Sequence, residues 1–225
     1  MDVFGPDWKD HTAKIERNWR QVVHEDDVVL VAGDLSWAMK LEGARPDLEW
    51  LDSLPGKKVL IRGNHDYWWT TLRKVQAVAG STVTLLQNNA VQLDGYVVCG
   101  ARLWSVPDAE WPSWAEDDEV ARDDKLWQRE LIRLGLSIEN ARRMGGTRLA
   151  MVHFPPVGPS GESTDASRML EEAGVELCVF GHLHGPDIDW KDQIIGGIRY
   201  VLVSCDQINF TPRLIADQRG WRWIL

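Results

Sequence analysis

Four short apolar runs, each stopped by a polar residue of distinct chemistry, constrain this chain more than any other feature. Val28 to Ala32 ends in Gly33-Asp34, Val59 to Ile61 in Arg62-Gly63-Asn64-His65-Asp66, Leu149 to Val152 in His153, and Val175 to Phe180 in Gly181-His182-Leu183-His184. Apolar runs this short, bounded by turn residues, read as buried strands rather than helices. Helical spacing fills the intervals. Trp8, His11, Ile15, Trp19, Val22 and Val23 mark a helix over about Trp8 to His24, and Pro46 to Leu54 marks another that starts on proline and stops at Pro55-Gly56.

Further helices are expected over Tyr67 to Ala79, over Ser163 to Ala173, and within a charge-rich excursion at about 104–145, where Val120, Leu126, Trp127, Leu131, Leu134 and Ile138 recur at helical separations. Thr82 to Ala101 carries β-branched runs separated by Gln87-Asn88-Asn89 and Asp94-Gly95, the signals of a hairpin or meander. Tyr200 to Val203 and Arg213 to Ile215 complete the expected strands. An early βαβ pattern followed by consecutive strands predicts an α/β layered fold. With no repeat or linker to divide it, the chain of 225 residues is expected to form one domain over 1–225.

In α/β sheets, ligands gather outside the carboxyl ends of strands, where side chains converge on a rigid frame. Asp34, Asn64, His65, His153, His182 and His184 all follow strand runs in that way. Carboxylate oxygen, amide oxygen and imidazole nitrogen together suit manganese, iron or zinc better than calcium or a sulfur-bound structural zinc. His182 and His184 stand two apart, so an extended backbone directs both to one side.

In order and chemistry, Gly33-Asp34, Gly63-Asn64-His65-Asp66, Val152-His153 and Gly181-His182-Leu183-His184 resemble the calcineurin-like metallophosphoesterases, over roughly Val28 to His184. The resemblance implies a β-sandwich flanked by helices and hydrolysis of a phosphomonoester or phosphodiester by metal-activated water. It further implies that Asp34 bridges two divalent ions, that Asn64, His153 and His182 complete one site, and that His184 serves the other. His65 would assist the phosphoryl centre alongside Asn64, with Asp66 either orienting His65 as a catalytic partner or capping the helix expected from Tyr67. Asp34 has a second reading as the cap of its own turn.

Members of that family open with a strand ending in Asp-x-His, whereas Met1 to Asp7 holds neither an apolar run nor that motif. The expectation is a fold lacking its first strand, with one metal ion in place of the family's two and, as the alternative function, a catalytically impaired protein that binds metal or phosphate. Arg62 and Arg102 flank strand ends, where each either clamps a substrate phosphate or stands as a solvated charge. Trp104, Trp111 and Trp114 either wall the site or serve in packing.

Charge narrows the partners. Lys and Arg number 25 against 34 Asp and Glu, a net charge of −9 that disfavours nucleic acid and anionic lipid and leaves a phosphorylated small molecule or phosphodiester as the expected substrate. No run approaches the roughly 18 apolar residues of a membrane span, and no signal peptide opens the chain, so a cytoplasmic location is expected. Cys99, Cys178 and Cys205 are odd in number and far apart, which predicts buried thiols rather than bridges.

Overall fold

Alternation within the strands decides the architecture. In the computed structural model, which describes residues 5–93, 96–106, 124–145, 149–190, 192–217 and 220–221, β1 (Val28–Val31), β2 (Lys57–Ile61) and β3 (Val83–Leu86) form a parallel sheet in the order β1-β2-β3. A second sheet has the order β4-β5-β6-β7-β9-β8, built from β4 (Val91–Leu93), β5 (Tyr96–Cys99), β6 (Leu149–Met151), β7 (Leu177–Phe180), β8 (Gln193–Ile195) and β9 (Ile198–Leu202). Its inner four strands run parallel, and its two outer pairs are antiparallel.

Val59 and Ile61 of β2, Leu149 and Met151 of β6, and Leu177 and Val179 of β7 share one core between the two sheets. Their neighbours point the other way: Leu60 joins a core with the first three helices, while Ala150, Cys178 and Phe180 join one with the last two. The period-two alternation of side chains therefore gives four layers, helix, sheet, sheet, helix. Each fully buried Leu or Val contributes about 1.5–3 kcal/mol.

The helices supply matching stripes. In α2 (Leu41–Ser53) the buried residues are Ala44, Leu48 and Leu51, and in α4 (Asp124–Arg143) they include Trp127, Leu131, Leu134, Ile138 and Ala141, all three or four apart. α1 (His11–Val22) buries Trp19, whose indole Nε1 donates to the Pro55 carbonyl at 2.9 Å. α5 (Asp165–Glu172) starts on a capping box, with the Thr164 hydroxyl accepting from the Ser167 N–H. Lys58 is fully buried; its ammonium donates to the carbonyls of Leu54 and Gly56 and to Thr82 Oγ1, tying the end of α2 to the β3 entry.

Several expectations shift in detail. Trp8 belongs to a 3-10 turn, Pro6–Trp8, ahead of α1. Pro46 lies inside α2 rather than at its start, because the apolar stripe begins at Leu41 and the proline removes only one ladder bond. The helix expected from Tyr67 shrinks to α3 (Leu72–Gln76), which begins where the Thr71 side chain accepts from the Lys74 N–H. Trp68 and Trp69 instead hold a turn: their indoles donate to Ser36 O and Asp66 Oδ1, and to Gln87 Oε1.

β3 pairs with β2, and only β4 and β5 form the expected hairpin. The strand expected at Arg213 to Ile215 is displaced to the two-residue pair β10 (Ala216–Asp217) and β11 (Gly220–Trp221). Trp111, Trp114 and the hairpin tip at Asp94-Gly95 lie outside the described residues.

Candidate active site

The loops after β1, β2, β6 and β7 meet where the two sheets face each other. Asp34 and His182 both adopt left-handed backbone, with φ of 57° and 70°, a conformation rare for side chains other than Asn and Asp. Tight turns thereby point these side chains back over the strand ends. Two glycines permit the approach. A Cβ on Gly63 would lie 1.9 Å from Asp34 Oδ1, and one on Gly33, at φ +98°, would lie 2.7 Å from the Gly63 nitrogen and 2.8 Å from His153 Nδ1.

His153 is buried at the centre. Its Nδ1 lies 2.7 Å from the Ala32 carbonyl, which can only accept, so Nδ1 carries a hydrogen. Nε2 then faces Asn64 Oδ1 at 2.6 Å and Asp34 Oδ2 at 3.4 Å, and Asn64 Oδ1 is also 3.2 Å from His182 Nδ1. A neutral imidazole would set its lone pair against those oxygens, so the arrangement calls for a positive species between them, a proton or a cation. Burial alone would lower the His153 pKa, but the Asp34 carboxylate outweighs it and raises it. Asp34 responds in reverse: burial pushes it up, and His153 and His65 bring it well below the usual carboxylate range. Burial beside His153 keeps His182 neutral, the form that binds metals.

The donor set, one carboxylate, one amide oxygen and two imidazoles, fits a single borderline divalent ion. Among the described residues, no three His, Cys, Asp or Glu side chains gather into a metal-binding group on their own. The Asn64 oxygen joins His153 to His182, and His153 Nε2 in turn reaches Asp34. His184 does not share those contacts. Its Nδ1 is 2.9 Å from Asp206 Oδ1, whose partner oxygen accepts from the Gly185 N–H at 2.7 Å, and the Trp8 ring stands edge-on 5.2 Å from it. Burial pushes the Asp206 pKa up, but the bond and charge of His184, the Gly185 N–H and Gln207 together bring it below its usual value.

Asp66 is fully buried and accepts four N–H groups. Oδ2 takes the backbone of Asp34 (2.9 Å) and Gly63 (2.7 Å), and Oδ1 takes the Ser36 backbone and the Trp68 indole, each at 3.1 Å. Burial and the Asp34 charge raise it to about 6 against the pull of those donors. Its carboxylate therefore binds the β1 loop to the β2 loop. The partner found at His65 is the Tyr67 hydroxyl, 3.1 Å from Nδ1, with the Trp37 ring at 4.8 Å and tilted 32°.

Arg102 turns away from His153, to whose backbone N–H its own carbonyl accepts at 3.2 Å, and its guanidinium meets the fully buried Glu130 at 3.1 Å. Its guanidinium also lies over the Trp104 ring at 4.5 Å. Trp104, Phe154 and His182 line a small recess.

Asp206, Tyr67 and Glu130 were not singled out by sequence. Asp206 carried a usable signal, since it follows the Tyr200 to Val203 run as Asp34 follows its own, whereas Tyr67 and Glu130 matter only through spatial neighbours. No helix among the described residues is long and apolar enough to cross a membrane.

Comparison with known proteins bears on the fold and the family. The chain is 40% identical over 221 residues to the gene 66 protein of Mycobacterium phage L5, spanning 95% of this chain and 86% of that protein. Among solved structures, the phosphopantetheinyl hydrolase of Mycobacterium tuberculosis superposes with a TM-score of 0.53 at 18% identity, covering 86% of each chain. A second solved structure, protein TT1561 of Thermus thermophilus, superposes at 0.54 with 15% identity, covering 78% of this chain and 76% of that one, and these two likenesses establish the fold. Residues 6–186 match the family model of calcineurin-like phosphoesterases, and the chain therefore belongs to that family.

Proposed function

We propose that the chain is a metal-dependent phosphohydrolase that cleaves a phosphomonoester or phosphodiester of a small molecule by attack of water on phosphorus. The observation that carries this reading is the convergence on Asn64 Oδ1 of His153 Nε2 and His182 Nδ1, with Asp34 beside them, a partly buried cluster of acceptors that calls for a cation. Asp34, Asn64, His153 and His182 would hold the ion, with manganese, iron or zinc matched to that donor set. When bound, such an ion supplies positive charge against phosphoryl oxygens and lowers the pKa of water.

The chain's own groups do the rest. The Ala32 carbonyl fixes the His153 tautomer and aims Nε2 into the cluster. With Nδ1 paired to Tyr67, His65 would present Nε2 to the departing oxygen and give it a proton. Asp66 would act through the loop it holds, and Arg102 through the substrate rather than the reacting atoms. A cytoplasmic location and a single domain over 1–225 belong to the same reading. The hydrolase named for M. tuberculosis performs the same class of reaction by its name.

A second reading, a protein that binds metal or phosphate without turnover, draws on His184, which the resemblance gives to a second ion and which here meets Asp206 and Trp8. Assays with p-nitrophenyl phosphate and bis(p-nitrophenyl) phosphate separate the two. Manganese-stimulated hydrolysis, abolished by chelation and reduced at least about 100-fold by Asn64→Ala and His65→Ala, is expected. Tight manganese binding with no hydrolysis of either ester would replace the first reading by the second.

A further inference from the structure

Beside the proposed centre, three arginines crowd one carboxylate and a fourth lies near. Glu130 is wholly buried, and a single oxygen, Oε1, receives Arg133 at 2.6 Å, Arg102 at 3.1 Å and Arg129 at 3.5 Å. Arg62, next to Gly63-Asn64, is near enough to interact electrostatically with Asp66, Glu130, Arg133 and Arg129. Among the described residues the charges do not balance, since two buried carboxylates, Glu130 and Asp66, face four guanidinium groups.

Nor are the donors used up. Each guanidinium carries five N–H groups, and among the described residues the buried Nε atoms of Arg62 and Arg102 have no hydrogen-bond partner. A buried cation left partly unpaired is costly, so the cluster favours an incoming anion. Access exists on one side, where the Arg129 and Arg133 side chains are 50% and 29% exposed.

The cluster touches the proposed centre by two routes. Arg62 leads directly into Asn64, and Arg102 stacks on Trp104, which contacts Phe154 at 5.2 Å, itself 4.0 Å from the His182 ring. On a protein of net charge −9, this local excess of positive charge stands out. Planar guanidinium forks match phosphate and carboxylate oxygens in pairs, and of the two anions phosphate is the one that the phosphohydrolase reading supplies.

We propose that Arg62, Arg102, Arg129 and Arg133 form a second anion subsite that takes a non-scissile phosphate of the substrate. The assignment to substrate rests on the phosphohydrolase reading above, and the tests are binding measurements that do not depend on turnover. Calorimetric titration of inorganic phosphate into the chelated full-length chain reads the subsite alone, because without a cation the Asp34 carboxylate repels phosphate from the neighbouring centre.

One phosphate per chain is expected, weakened at least about tenfold in Arg129→Gln and in Arg62→Gln, the effect of losing one charge-assisted contact. Arg129, half exposed, can be replaced without opening the core, and unchanged melting of the variant verifies that. Absence of phosphate binding, or binding that neither substitution weakens, would overturn the subsite and leave the cluster as a structural ion network. In the manganese-loaded chain, a nucleoside 3′,5′-bisphosphate should bind at least about tenfold more tightly than the 5′-monophosphate, and Arg129→Gln should erase the difference. Equal affinities for the two, with free phosphate still bound at the arginines, would overturn the assignment to a substrate phosphate. Failure to cleave any ester would refute the phosphohydrolase reading alone.

Discussion

Replacing Asp66 by asparagine separates a structural carboxylate from a catalytic one. The aspartate accepts two N–H groups on each oxygen, Asp34 and Gly63 on Oδ2 and Ser36 and the Trp68 indole on Oδ1. Asparagine has nearly the same shape but only one accepting atom, so its amino group must face two N–H donors in a fully buried position. Each buried bond left unmade costs ~1–3 kcal/mol, which puts Asp66→Asn at ~2–6 kcal/mol. For a chain of this length each kcal/mol moves Tm by roughly 2–4 °C, so a fall of about 10 °C is expected. The measurement is urea and thermal unfolding of the chelated protein near pH 8, about two units above the Asp66 value, where the carboxylate is ionised. A variant that melts within about 2 °C of the parent would refute the argument that Asp66 binds the two loops together. If that variant also lost turnover, Asp66 would act on His65 as the family resemblance implies.

Two further perturbations follow from the same contacts. Asp52 Oδ1 accepts from the Thr82 backbone at 2.8 Å and the Thr82 hydroxyl at 2.7 Å; burial raises its pKa, but these bonds and Lys58 bring it below the usual value of 3.8. A depressed carboxylate contributes stability that is present above the unfolded pKa and lost as pH falls through the folded one, so urea midpoints of the parent should drop below about pH 4 and Asp52→Asn should flatten that drop; an identical acid slope in both proteins would remove Asp52 from the account. Gly63→Ala places a Cβ 1.9 Å from Asp34 Oδ1 and 2.5 Å from its backbone nitrogen. Asp34 must move, and manganese affinity by calorimetry should weaken at least about tenfold, while unchanged affinity would show that Asp34 is not a ligand.

The strand ends were legible because their signal is local: a short apolar run, then a donor within a few residues, with glycine before it at Asp34, Asn64 and His182. The same rule located Asp34, Asn64, His153 and His182, and applied to Tyr200 through Asp206 it would have found the carboxylate that orients His184. What stayed illegible depends on distant partners. Trp68 and Trp69 carry a helical pattern in sequence, but Ser36 and Gln87 capture their indole N–H groups and hold a turn. Pro46 misplaced the start of α2 because a proline is most at home in a first turn, whereas the buried stripe runs from further back. The sheet to which β3 belongs could not be read from Val83 to Leu86, since parallel and antiparallel partners suit the same β-branched residues. Glu130 looked like one more helix-surface acid until Arg102 and Arg133 closed on it.

The centre straddles the seam of the sandwich. Asp34 and Asn64 follow strands of the three-stranded sheet, and His153 and His182 follow strands of the six-stranded one. Any ligand that engages both pairs acts as a clasp between two halves that are also joined by the short link 87–90 and by packed side chains, and it binds fully only after both halves have formed and docked. Ligand affinity thus becomes a gauge of the last step of folding. Mass action sets the strength of the clasp: at a hundred times its dissociation constant, such a ligand adds about 2.7 kcal/mol to the folded state. Residues 87–90 already tie β3 to β4 across the seam, so the clasp adds its restraint at the other place where the halves meet, the carboxyl ends of β1, β2, β6 and β7.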